Sequence, residues 1–283
     1  MRTIQLTNSD LNPGTDALEG HRLDESHYDR LIEESTTVLK PDGTMLLVYQ
    51  KDALPRSLCR LAFKSFKDTP LSSTNRGMAS GLKRFRPKKR DGTISRTRQT
   101  IPVPSDVVGF LDRSSRNPYC RMSALTIDHY DEFKAAMPFV RAVSRNFAMF
   151  APDRWEAQQA FVESVAPDFV IPGTAFTTLT INRNWPTAAH RDDGDYHDGF
   201  GVMTVIEGGH FAGGELIFPK FRTAVDLRTG GLLFADVHEL HGNAPLIVRR
   251  PSQRLSFVFY AREEMWQCGS KDDELTRVKE IDS

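Results

Sequence analysis

Two histidines and one aspartate stand at spacings that suit a single metal ion. His190 and Asp192 lie in Thr187-Ala-Ala-His190-Arg-Asp192-Asp-Gly-Asp195, and His241 follows fifty-one residues after His190 in Asp236-Val-His-Glu-Leu-His241-Gly-Asn243. Side chains at i and i+2 of an extended segment project to the same side, so His190 and Asp192 can offer an imidazole nitrogen and a carboxylate oxygen to one point. A histidine from a later strand completes two nitrogens and one oxygen on one face of an octahedral ion. That is the ligand arrangement of non-haem Fe(II) oxygenases, with three positions left for co-substrate and molecular oxygen. His-x-Asp recurs by chance, and it is the third ligand and the surrounding residues that give it weight. His238 competes with His241 for the distal position. The Gly242-Asn-Ala-Pro245 turn puts His241 at a mouth and leaves His238 to support the site.

Such an ion needs an organic co-substrate to supply two electrons. Arg254, in Gln253-Arg-Leu-Ser-Phe-Val-Phe-Tyr260, alternates with apolar residues that face the other way, so it points inward from its strand. A buried guanidinium needs an anion. Either an internal acid pairs it, or it clamps the distal carboxylate of 2-oxoglutarate, whose keto-acid end chelates the iron. The acidic run from Asp192 to Asp198 invites a calcium-loop reading, which fails because the twelfth position counted from Asp193 is Thr204 rather than glutamate.

The elements that must position these groups are short strands. After Pro172-Gly173 the apolar period becomes strand-like: Thr174 to Ile181, Gly201 to Ile206, Glu215 to Phe218, Thr223 to Leu227, Leu232 to Ala235, Leu246 to Val248 and Leu255 to Tyr260, separated by glycine turns. So many short strands predict a double-stranded β-helix, or jelly roll, which gathers strand ends around one mouth. Upstream, Met45 to Tyr49 predicts a buried strand and Pro55 to Phe66 a helix. Asp131 caps a helix over 132–149 that Pro138 must kink or restart. Pro152 starts another helix to about Val165, with Ala157, Ala160, Phe161 and Val165 facing inward. The expected fold is α+β: a jelly-roll core over 169–264, covered on one face by helices, with an N-terminal α/β extension over 37–168. Residues 1–36 are expected to be a loosely packed lead-in and 265–283 a frayed charged tail.

Composition bounds the partners. Across 283 residues, 37 Lys and Arg balance 37 Asp and Glu, so no global field attracts nucleic acid or membrane. The charge is nevertheless clustered: Lys83 to Arg98 carries eight cations against the single Asp91. With no apolar periodicity of its own, this stretch reads as a solvated loop or as an arm that neutralises phosphates, with Lys88, Lys89 and Arg90 at its centre. Cys59, Cys120 and Cys268 are too few for a disulfide framework, which suits a reducing, intracellular setting. No apolar run approaches the roughly 18 residues that span a bilayer, so no membrane partner is expected. A monomer is expected.

The residues from Thr178 to Gly201, then Phe211-Ala-Gly-Gly214 and Leu240-His241-Gly-Asn243, resemble the dioxygenase domain of the ten-eleven-translocation and base-J-binding-protein (TET/JBP) family, most of all its kinetoplastid thymine hydroxylases and their phage-type relatives. The resemblance is dense from Ala175 to Tyr260. It implies oxidation of the methyl group of a 5-methylpyrimidine in DNA with Fe(II), 2-oxoglutarate and oxygen. His190, Asp192 and His241 match its metal ligands and Arg254 its co-substrate arginine. Asp195 matches a position that touches the pyrimidine edge, and Arg262 falls where some relatives carry a base-contacting histidine. Asn243 is expected to face substrate, and Arg121 with the arm to hold the DNA backbone. An ionised Asp195 would accept from the amino group of 5-methylcytosine and repel the carbonyl of thymine, whereas protonation or a bridging water would reverse the preference. The competing readings are the same chemistry on a nucleotide, protein or small molecule, and a non-catalytic jelly-roll binding module.

Overall fold

The computed structural model describes residues 1–96 and 98–282. Its larger sheet has nine strands in the order β1 (Arg2–Gln5), β3 (Thr36–Leu39), β4 (Met45–Gln50), β14 (Leu232–Ala235), β10 (Gly201–Gly208), β17 (Gln253–Tyr260), β9 (Thr178–Arg183), β7 (Ser105–Leu111) and β8 (Arg121–Met122). The pair β1–β3 is parallel and the other neighbours run antiparallel. A smaller sheet orders β15 (Gly242–Asn243), β12 (Leu216–Phe218), β13 (Thr223–Val225) and β2 (Arg30–Ile32). Two ribbons pair β11 (Phe211–Gly213) with β16 (Leu246–Val248), and β5 (Arg84–Phe85) with β6 (Gln99–Thr100). The two sheets close over a shared apolar layer, in which Leu47, Val205 and Leu233 of the larger meet Leu216, Phe218 and Val225 of the smaller.

Strand alternation divides the larger sheet into two faces. Leu255, Phe257 and Phe259 of β17 pack outward under helices, while Arg254, Ser256 and Val258 face a cavity between the sheets. The covering helices are α1 (Arg56–Phe66) and α3 (Tyr130–Phe150), which reach the sheet through Phe66 and Phe139 on Phe257 and Phe147 on Phe234, at centroid separations of 6.0, 5.3 and 5.7 Å. A short helix α2 (Ala124–Asp128) precedes α3, and α4 (Pro152–Ser164) follows it. Pro138 does not interrupt α3. It lies on the exposed face, where water can take the Lys134 carbonyl that loses its donor.

Other expectations change in the folded chain. Along α4 Gln158 and Val162 are buried, Phe161 packs against the core and Val165 just past its end is buried as expected, but Ala160 is exposed. The buried Gln158 amide donates to Ala175 O at 2.6 Å and accepts from Phe200 N at 3.2 Å, so a polar side chain rather than the alanines docks the helix. Residues 1–36 are no loose lead-in: β1 and β2 extend the two sheets, and Leu6, Leu23 and Ile32 are buried. Both strands join by parallel pairing with strands distant or non-hairpin in sequence, which leaves no local turn signal.

The charged tail is a docked helix, α5 (Lys271–Asp282). Cys120 and Cys268, expected to be unpaired, form a disulfide across 148 residues, and Glu274 sits beside it at 3% exposure. Glu274 accepts from Cys120 N at 2.8 Å and Gly269 N at 2.9 Å and pairs with Arg113. These donors, outweighing burial, hold its carboxyl below the ordinary glutamate value. Glu274→Ala strands two N–H groups and a guanidinium and is expected to cost about 2–4 kcal/mol. Thermal denaturation with the disulfide intact measures this, and an unchanged midpoint would show that the Glu274 network contributes nothing. Among the described residues, no helix is long and apolar enough to cross a membrane.

Candidate active site

His190 and His241 are brought together by backbone pairing. Each N–H donates to the other's carbonyl, His190 N to His241 O at 2.8 Å and His241 N to His190 O at 3.0 Å, and the ring centroids lie 4.4 Å apart. Asp192 is anchored by its own N–H to Val237 O at 3.1 Å. Both imidazoles are oriented alike: His190 Nδ1 lies 2.9 Å from Ala188 O and His241 Nδ1 3.0 Å from Glu239 O. A carbonyl partner requires Nδ1 to carry the proton, which turns the lone pair of each Nε2 inward. The two Nε2 atoms face opposite oxygens of Asp192, at 3.5 Å from Oδ1 and 3.7 Å from Oδ2. All three ligand atoms lie within 4.8 Å of one another, spacings that leave room for an ion between them. His238 points elsewhere, with Nε2 3.2 Å from Asp195 O and Nδ1 3.4 Å from Asp236 Oδ1.

These groups line a cavity of about 300 Å³ that also receives Arg254 from β17. Arg254 is 3% exposed, yet no carboxylate among the described residues pairs with it. Its Nη2 donates to Gly214 O at 3.3 Å, and its Nε is buried without an acceptor. Burial first, and the nearby Arg228 second, pull its pKa down to about 10. The backbone is fastened by Asn184, a positive-φ residue whose Oδ1 accepts from Arg254 N at 2.6 Å. Among the described residues this cation has one carbonyl acceptor and no paired carboxylate, an arrangement that an anionic ligand completes.

Sequence reading passed over Arg76. It lies in the turn before the basic arm, where no periodicity marks it, and its side chain enters the same cavity. Nη1 donates to Thr180 Oγ1 at 3.3 Å, and Nε and Nη2 are buried without acceptors. Asp112 was likewise not singled out. Its Oδ1 accepts from Arg262 Nε at 2.6 Å, so Arg262 reaches the cavity wall already ion-paired.

The remaining expected contacts are placed unevenly. Asp195 lines the cavity beside Asp192, opposite Arg262 across an isolated bridge, and its Oδ2 has no partner. Burial first and the Asp192 charge second raise its pKa well above the ordinary aspartate value, against the pull of Arg262. Both influences favour the neutral carboxyl relative to an exposed aspartate. Asn243 also lines the cavity, but both ends of its amide are engaged, accepting from Thr187 N at 3.1 Å and donating to Gly214 O at 3.1 Å. Its place is that of a brace between the two ligand-bearing loops. Arg121 lies outside the cavity lining, its Nη1 on Asp112 O at 3.2 Å. Lys88, Lys89 and Arg90 are exposed on a hairpin closed by Lys89 N to Thr93 O at 2.7 Å. Arg84 is not available to phosphates: it bolts the arm to the cavity rim through the Gly77 and Gly81 carbonyls.

Titration behaviour follows from this crowding. His190 is raised above the usual histidine value, burial opposing and the Asp192 charge outweighing it. Asp192 is lowered to about 2, burial again opposed by His190. His241 is lowered to about 4 by burial and by the His190 charge.

Comparison with known proteins gives this geometry its context. A model of the family Tet_JBP, described as the oxygenase domain of the 2OGFeDO superfamily, matches residues 108–263, more than half of the chain. Thymine dioxygenase JBP1 of Trypanosoma brucei brucei is 32% identical over 164 residues, covering 56% of this chain and 19% of that protein. Thymine dioxygenase JBP1 of Crithidia fasciculata is 34% identical over 172 residues, covering 59% and 21%. The chain thus spans about a fifth of the length of these relatives. The solved structure of NgTET1 in complex with 5mC DNA superposes with a TM-score of 0.62 at 14% identity, covering 89% of this chain and 87% of that one, and so shares the fold. A two-histidine, one-carboxylate donor set fits Fe(II), an unpaired buried arginine fits the free carboxylate of 2-oxoglutarate, and with the family match they place this chain in the Tet_JBP oxygenase family of the 2OGFeDO superfamily.

Proposed function

We propose that this chain hydroxylates the methyl group of a 5-methylpyrimidine in DNA, using Fe(II), 2-oxoglutarate and molecular oxygen and releasing succinate and CO2. The observation that carries the reading is one cavity holding both the His190–Asp192–His241 cluster and the uncompensated Arg254. Iron with 2-oxoglutarate and oxygen supplies, when bound, an oxidant able to take a hydrogen atom from an unactivated methyl group. The two imidazoles, each with its tautomer fixed by a backbone carbonyl, and the Asp192 carboxylate would hold the metal. Arg254 would orient the co-substrate by its distal carboxylate. A target methyl inside a duplex is out of reach, so its nucleotide must leave the stack at a cost of a few kcal/mol. Exposed cations of the arm offset that cost by holding phosphates next to the rim to which Arg84 ties them. Such a substrate implies an intracellular setting.

Thymine is the preferred base in this reading, a reversal of the preference for 5-methylcytosine that an ionised Asp195 would give. Two relatives at 32% and 34% identity bear the name thymine dioxygenase. A carboxyl held toward its neutral form by burial can donate to a carbonyl oxygen, which thymine presents where 5-methylcytosine presents an amino group. Matched oligonucleotides carrying either base, digested and analysed by mass spectrometry after reaction, should show the hydroxymethyl product chiefly from thymine. Product chiefly from 5-methylcytosine would reverse the base preference, and none from either would sink the proposal.

The arm makes its own prediction. Replacing Lys88, Lys89 and Arg90 together by glutamine should weaken DNA binding and lower the slope of log affinity against log salt by roughly 2–3, about 0.9 per lost phosphate contact. Turnover of 2-oxoglutarate in the absence of DNA should be unaffected. An unchanged salt slope would return the arm to an ordinary solvated loop.

A further inference from the structure

Two guanidinium groups lie over the ring of Phe211. Arg228 Cζ stands 4.3 Å from the centre of its ring and Arg254 Cζ 5.3 Å. Arg228 has its own counterion, Asp226, at 2.6 Å. Arg254 has none, so the aromatic ring and the Gly214 carbonyl at 3.3 Å are what its guanidinium rests on. The negative face of an aromatic ring attracts a cation most where water is excluded, and both Phe211 and Arg254 are 3% exposed. Neither support can drift. Phe211 is paired by β11 to Val248 of β16, and Gly213 and Gly214 hold positive φ values of 71° and 79°. A Cβ on Gly213 would come within 2.0 Å of Pro245 O, so only glycine lets the chain pass there and aim the next carbonyl at Arg254.

We propose that Phe211 is a positioning residue for 2-oxoglutarate: its ring fixes the plane of the Arg254 guanidinium so that the unpartnered edge is presented to the co-substrate carboxylate. This rests on the reading of Arg254 as the co-substrate arginine. Arg228, a like charge, lies over the same ring, and without the ring the Arg254 side chain is free to rotate off axis. The role is separate from the metal cluster, because Phe211 touches none of the three ligands through its guanidinium stack. Its loss should therefore change the affinity for 2-oxoglutarate and leave the chemistry at saturation alone.

The test measures 2-oxoglutarate binding by calorimetry on the Fe(II)-loaded protein without oxygen, alongside steady-state kinetics. Phe211→Leu is expected to raise the Kd and the KM for 2-oxoglutarate about tenfold, within the range of a desolvated cation–π contact, with kcat within about twofold. Phe211→Tyr, which keeps the ring, should restore both constants. Should Phe211→Leu fail to fold, Phe211→Met removes the ring while filling the space and is read the same way. A folded ring-less variant with an unchanged Kd overturns the proposal, as does a Tyr variant as weak as the Leu one. Wild-type protein that holds iron but not 2-oxoglutarate overturns the Arg254 reading and this inference with it, an outcome distinguishable from a normal wild-type Kd that the substitution leaves untouched.

Discussion

Alanine in place of His190, Asp192 or His241 is expected to abolish turnover, a loss of at least about a thousandfold, while the protein stays folded. Each side chain supplies one of three ligand atoms, and with two remaining the ion has no fixed face. The fold should survive because the backbone pairing of His190 with His241 does not depend on either ring. His238→Ala should keep iron, since its imidazole rests on Asp195 O and Asp236 rather than on the cluster. Iron content after gel filtration, with circular dichroism as the fold control, decides the matter. Iron lost from His238→Ala and retained by His241→Ala would reassign the ligand. The pH dependence has a definite sign. Asp192 raises the His190 pKa, so the metal must displace a proton that an ordinary histidine would already have released near neutrality. Iron affinity should fall as pH drops through that raised value, above 6.5, whereas His241, lowered to about 4, adds no proton competition until much more acid conditions.

Arg254→Met is expected to separate binding from stability. Losing a charge-assisted contact between a buried arginine and a carboxylate costs about 2–5 kcal/mol, which is roughly a hundredfold or more in the KM for 2-oxoglutarate. The same substitution should leave the ligand-free protein as stable as before or raise its melting point, because a buried cation without a counterion is replaced by an apolar chain of similar length. The depression of the Arg254 pKa to about 10 expresses that unfavourable placement. If Arg254 served an internal ion pair instead, Arg254→Met would lower the melting point and leave 2-oxoglutarate affinity alone. Thermal denaturation and calorimetry on the same preparation distinguish the two.

The sequence alone determined what rests on short-range periodicity. His190 and Asp192 share a side because a strand repeats every two residues, and the same repeat turns Arg254 inward among outward-facing Leu255, Phe257 and Phe259. Glycine turns and short apolar runs were enough to expect the jelly roll. Tertiary structure decided everything that joins residues far apart in the chain. Parallel strands β1 and β2 carry no hairpin signal, so residues 1–36 read as loose until their partners are seen. A charged stretch became α5 because Arg113 and the Cys120 amide, both more than 150 residues away, satisfy one buried glutamate. Arg76 sits in a segment with no pattern and enters the cavity only in the folded chain, and Asp112 meets Arg262 only because β7 and β17 end together on either side of β9 in the larger sheet. Which way the Asp195 pKa moves belongs to the same class: a carboxyl takes its charge from burial and neighbours, and neither is written in the order of residues around it.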